Sequence, residues 1–158
     1  MQQRLIRSLA VIGALLLVGG VMAGGIEFED PWIREAPPGA PSLAGYMVVK
    51  NPSAEGRSLV GATSPAFGKV TLHRTEMEEG MARMVHQERV EVPAGGAVRF
   101  EPEGYHLMLM KPVEALKAGD RVEITLRFED GESVPVTFEV RKDVGAGHMQ
   151  HQQMQHGQ

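Results

Sequence analysis

Two histidines and two methionines, His73, Met84, His106 and Met108, are the side chains of this sequence best suited to chemistry. Imidazole combined with thioether is a soft donor set: thioethers bind hard divalent ions poorly and bind a soft monovalent d¹⁰ ion such as Cu(I) well. The chain contains no cysteine. No thiolate therefore competes for the metal, and a blue-copper electron-transfer site, which requires one, is excluded.

A site of this kind must be assembled from strands that are neighbours in space, so spacing matters as much as residue type. Ten residues separate His73 from Met84, twenty-one separate Met84 from His106, and one separates His106 from Met108. The first pair fits a hairpin. With Glu78 and Glu79 as a two-residue turn, positions summing to 157 lie opposite each other and His73 faces Met84, with Cβ atoms about 4.5–5.5 Å apart. A three-residue loop using Gly80 would shift that register by one and put Met84 on the other face; the shorter loop is the expectation. His106 and Met108 are two apart and share one face of a strand, while Tyr105, Leu107 and Leu109 take the other.

Singly, these residues have plainer roles. A methionine in an apolar strand is usually core filler, and Met47, Met108 or Met110 would each be read so in isolation. It is the combination that indicates a metal site. Met77 and Met81 flank the hairpin turn and read as exposed tip residues; Arg74, Glu76 and Arg83 read as a solvated rim able to guide docking on a partner.

The elements that must position these side chains are short strands separated by turn clusters. Candidate strands are Ile26–Arg34, Gly45–Asn51, Ser58–Ser64, Val70–Met77, Met81–Val90, Ala97–Phe100, His106–Lys111, Arg121–Phe128 and Val134–Val140, with no convincing long helix. Turn signals such as Pro37-Pro38-Gly39, Asn51-Pro52, Gly95-Gly96 and Glu129-Asp130-Gly131 fall between them. The pattern predicts an all-β, immunoglobulin-like sandwich with Greek-key connections. Val122, Ile124, Leu126 and Phe128 mark a strand with one buried face. Trp32, the single tryptophan, is expected to be buried by packing.

At 158 residues and 42% hydrophobic content, the chain holds one domain, residues 24–144, large enough for a real core. Residues 1–23 read as an export signal: Arg4 and Arg7 form a positive start, Leu9 to Val21 an apolar run, and Val21-Met22-Ala23 a cleavage site. The alternative is an uncleaved anchor, for which the run is short. Cleavage would leave a periplasmic protein with no stable membrane insertion. Zero cysteines exclude a lipid anchor and assign stability to the core alone. The net charge of −4, with scattered basic residues, gives no reason to expect nucleic acid as a partner. Residues 145–158 carry His148, Met149, His151, Met154 and His156 among Gln and Gly, the composition of a disordered metal-binding tail. Its imidazoles suit Cu(II), while the folded site suits Cu(I).

The same stretch resembles a known family. The His73, Met84, His106, Met108 spacing, with Leu72-His73, Met81-Ala82-Arg83-Met84, Pro93-Ala94-Gly95-Gly96 and Gly104-Tyr105-His106-Leu107-Met108-Leu109-Met110 around it, is similar to the periplasmic copper chaperone PCu(A)C family over about Ile26 to Val140. Asp30-Pro31-Trp32-Ile33-Arg34 resembles that family's first strand. The resemblance implies a cupredoxin-like sandwich that holds one Cu(I) through two His and two Met. It also implies delivery to the copper-bearing subunit of a respiratory oxidase, directly or through a thiol-bearing copper chaperone. His86 shares the face of Met84, but the family pattern does not use it, and it is left outside the ligand set.

A copper carrier is the leading reading. A copper buffer or resistance protein that sequesters metal without a dedicated recipient is the alternative. An enzyme is disfavoured: there is no cysteine nucleophile, no Gly-x-Ser-x-Gly elbow, and no N-terminal histidine after cleavage at Ala23.

Overall fold

The computed structural model describes residues 25–142. The export signal, residues 1–23, and the tail, residues 145–158, lie outside the described residues. Ten strands follow one another: β1 (Glu27–Arg34), β2 (Ser42–Asn51), β3 (Arg57–Thr63), β4 (Phe67–Glu78), β5 (Met81–Gln87), β6 (Val90–Val92), β7 (Gly96–Phe100), β8 (Tyr105–Pro112), β9 (Arg121–Phe128) and β10 (Ser133–Arg141). Among the described residues, no helix is long and apolar enough to cross a membrane.

Seven strands close a ring in the order β4, β8, β2, β1, β10, β9, β3 and back to β4 through the pair Ala62 and Val70. Closure removes most free edges, and opposite walls of the ring pack like the layers of a sandwich. Alternation explains which residues fill it. Val122, Ile124, Leu126 and Phe128 of β9 and Val136, Phe138 and Val140 of β10 all point inward, against Val49, Met47, Leu107, Leu109 and Leu72 from the facing strands. Met47 is thus the core filler expected of it.

Nine strands are expected from sequence and ten are present, because the run Met81–Val90 changes partners. β5 stays with β4, whereas β6 crosses to pair with β3 at Leu59 and Val90.

The β4–β5 register also differs from expectation. Glu78 pairs with Met81, and opposed positions sum to 159, so the turn is Glu79-Gly80. Both residues have positive φ, 52° and 80°. A two-residue hairpin of this hand needs positive φ at both central positions, and glycine accepts it without cost; Glu78-Glu79 would have placed two side chains there. The shift is two residues, and a shift of two leaves every side chain on its expected face.

Trp32 departs from expectation as well. Its ring packs on Tyr46 at 4.7 Å, but it is only half-buried and lies outside the barrel, with Ile33 taking the core position at 0% exposure. The cause is a bulge: pairing with β2 slips by one between Glu29 and Trp32, with Asp30 at φ 47°. An extra residue reverses which side chains face in. Arg141 holds the bulge through a 2.7 Å hydrogen bond to Asp30 Oδ1.

Leu107, fully buried in β8, tests the core. Leu107→Ala should cost about 2–5 kcal/mol, read as a lower urea midpoint with an unchanged slope.

Candidate metal centre

Leu72 and Leu107 point inward, so the residues adjacent to them, His73 and His106, point outward. The β4–β8 register sets them directly opposite each other, with ring centroids 5.8 Å apart. Met108 follows on the same face, opposite Thr71 of β4 and Ala44 of β2. Met84 lies on β5 opposite Thr75, two pairs nearer the hairpin tip than His73. It is therefore diagonal to His73 rather than facing it, still on the same surface. All four predicted side chains share one outer face.

A cavity of about 260 Å³ gathers three of them, Met84, His106 and Met108. Its remaining wall is Arg34, Glu35 and Ala36, where β1 ends, and Ser42, Leu43 and Ala44, where β2 begins. Ala44 matters by its size, since its short side chain opposite Met108 leaves room. This wall buries His106 to 3% exposure on what is otherwise the outer surface. The depth is uneven: His106 is buried, His73 and Met108 are half-buried, and Met84 is 60% exposed at the rim.

His106 Nδ1 sits 3.2 Å from the carbonyl oxygen of Gly104. A carbonyl only accepts, so Nδ1 carries the hydrogen and Nε2 presents a lone pair. That Nε2 is buried and has no hydrogen-bond partner, as is Nδ1 of His73. Buried polar nitrogens left unpaired are costly, and a carbonyl orienting the far nitrogen of an imidazole is how proteins prepare a metal ligand. Burial first, then the neighbouring His106 and His86 and finally Lys69, pull the pKa of His73 below its ordinary 6.5. The neutral ring is the form that binds metal. Among the described residues, no three histidine or carboxylate side chains are grouped to hold an ion, so the pocket's distinguishing donors are its thioethers. Two imidazoles and two thioethers fit a soft ion.

Other expectations sort by face. Met77 and Met81 are exposed at the tip, 70% and 68%. Met77 shares the site's surface and Met81 the reverse one, as the pairing parity requires. Arg74, Glu76 and Arg83 are exposed, but they lie on that reverse face and do not rim the cavity; Arg83 pairs with Glu78 at 2.8 Å, and Arg74 stacks over Tyr105. Arg34 and Glu35 are the charged groups at the cavity. Met110 lies outside the core, half-buried opposite Ser42 and Lys69. His86, set aside on sequence, stands directly across from His73, with ring centroids 5.5 Å apart. The Glu79-Gly80 turn signal, applied to the hairpin, would have found that pairing. The tail residues His148, Met149, His151, Met154 and His156 lie outside the described residues.

Comparison with known proteins agrees with this architecture. The family described as "Putative lipoprotein LpqE-like" matches residues 26–140. A protein of Leifsonia xyli subsp. xyli, "Putative lipoprotein Lxx21020", is 34% identical over 128 residues, covering 80% of this chain and 76% of the relative. Among solved structures, CuI-DR1885 from Deinococcus radiodurans superposes with a TM-score of 0.65 at 31% identity, covering 80% of this chain and 85% of that one. The copper-bound PCuAC domain from PmoF2 does so with 0.64 at 26%, covering 76% and 95%. Fold and likeness together define a domain of the PCu(A)C class. Within that class, the chain belongs to the LpqE-like family.

The depressed His73 pKa has a consequence for the metal-free protein. Above 6.5 the ring is neutral in both folded and unfolded chains. Below 6.5 the unfolded chain takes up a proton that the folded ring resists, so stability present above 6.5 is lost as pH falls toward the folded value. Melting temperature measured from about pH 7.5 down to about 5.5 should fall more steeply for the apo-protein than for apo His73→Gln.

Proposed function

We propose that this chain is an exported copper chaperone that carries Cu(I) on His73, Met84, His106 and Met108 and delivers it to the copper centre of a respiratory oxidase. The observation that carries the reading is the buried, unpartnered Nε2 of His106, oriented by Gly104, in one cavity with the thioethers of Met84 and Met108. The relatives' copper-bound structures support the choice of metal.

The mechanism is ligand exchange. Two imidazoles and two thioethers are all neutral donors and leave the charge of the ion uncompensated, so a thiolate-bearing recipient is the stronger partner. Met84 is the exposed donor and the natural first one to be displaced. No bond-making catalysis is involved. Affinity weakens as pH falls, because protonated imidazole does not bind.

The working unit is residues 24–144, preceded by an export signal at 1–23 that places the protein in the periplasm. The tail, 145–158, captures Cu(II) through His148, His151 and His156 with Met149 and Met154. The position of β10 favours this role: Arg141 pairs with Arg34, a wall of the cavity. His148 is six residues beyond Lys142, a span of about 20 Å at most. That same tail favours a second reading, a periplasmic buffer that sequesters copper without a dedicated recipient.

Cu(I) titration against a competing chromophoric chelator tests the folded site. A deletion after Val144 should keep one tight site. The double variant Met84→Ala, Met108→Ala should weaken it by more than the roughly 10–100-fold that losing a mere supporting partner costs. Binding that follows the tail and survives the double variant would sink the carrier reading and favour the buffer. Loss of Cu(II) uptake with the tail, at unchanged Cu(I) binding, is the expected second result.

A further inference from the structure

His86, His73 and His106 occupy three adjacent strands, β5, β4 and β8, in one lateral row. The ring-to-ring steps are nearly equal, 5.5 Å and 5.8 Å. Exposure falls along the row: His86 is open to solvent, His73 is half-buried and His106 is buried. His73 is therefore the shared member of two imidazole pairs, one facing water and one facing the cavity. The outer pair, His86 and His73, and the inner pair, His73 and His106, lie on either side of the shared ring. Met84 lies two residues from His86 on the same strand and face and lines the cavity together with His106.

An ion held at depth by neutral donors has to exchange its ligands one at a time. Exchange is fastest where the next donor is within a bond's reach of the last. On this geometry, we propose that His86 is a copper-transfer residue: with His73 it forms an outer station through which Cu(I) enters and leaves the cavity. The inference rests on the folded site proposed above. Copper arriving from solvent or from a partner is taken by His86 and His73; His86 is then released as His106 and Met108 close on the ion. Departure runs the same path in reverse. No oxidation is required, since the ion remains Cu(I) throughout. A donor used only in passage lowers the barrier in both directions and leaves the equilibrium constant unchanged.

The experiment is stopped-flow transfer of Cu(I) from the loaded full-length protein to a chromophoric chelator and back, alongside equilibrium affinity, for wild type, His86→Gln and His86→Met. His86 is exposed, so its substitutions leave the core intact, which melting curves verify. His86→Gln should slow transfer both ways by about tenfold or more with affinity essentially unchanged, and His86→Met, which restores a soft donor, should recover much of the rate. Unchanged rates in His86→Gln would overturn the inference. So would a loss of affinity matching the loss of on-rate, because His86 would then be an ordinary ligand. Failure of wild type itself to hold one tight Cu(I), or its insensitivity to Met84→Ala, Met108→Ala, would instead overturn the folded site.

Discussion

The candidate site depends on one constraint, the inward direction of Leu72 and Leu107. Both are buried in the barrel core, at 2% and 0% exposure, and their strands are neighbours in register. Side chains along a strand alternate, so burying these two leucines sends His73 and His106 outward together and opposes them across the β4–β8 ladder. Met108 is then carried to the same surface by Leu109, buried on the far side of it. The hydrophobic effect positions the polar donors without any of them contributing to the core.

On the proposed function, the environment of those donors is a compromise between holding and releasing an ion. Burial disfavours protonated imidazole, which keeps His73 available to metal below the pH at which a free histidine would charge. Burial of every donor would also enclose the ion and shut out the incoming ligand that exchange requires. The structure separates these demands by depth. His106 is fixed by the Gly104 carbonyl and shielded by the β1–β2 wall, whereas Met84 is supplied by a hairpin that extends past the ring and stays largely in water. A flexible thioether at that rim can close on an ion or leave it without disturbing the barrel.

Much of this was legible in the sequence. The alternation Val122, Ile124, Leu126, Phe128 marked a one-faced strand, and the two-residue spacing of His106 and Met108 placed both on one surface, because period two is a local property. The hairpin's face survived an incorrect register for the same reason: Glu78-Glu79 and Glu79-Gly80 turns differ by two positions. What could not be read was non-local. The outward turn of Trp32 comes from a bulge held by Arg141, more than a hundred residues away in sequence. The cavity wall at Arg34, Glu35 and Ala44 exists only once β2 has paired with both β1 and β8. His86 was visible as a residue but not as the direct neighbour of His73, since neighbours depend on the turn's register even when faces do not.

That bulge bears on the site itself. If β1 kept the parity of its first half, Phe28 inward, then Ile33 would face out and Trp32 would enter the core. One extra residue at Asp30-Pro31 reverses this, placing Ile33 inside and sending Trp32 and Arg34 to the outer surface beside Tyr46. Arg34 reaches the cavity only with that parity, and the backbone bond from Glu35 N to Arg141 O at 2.8 Å holds the following residues over it. Bulges bend a strand and re-aim its side chains. Here a single inserted position converts the end of an edge-to-edge pairing into the wall that buries His106, so the depth of the inner histidine is set by a strand that carries none of the soft donors.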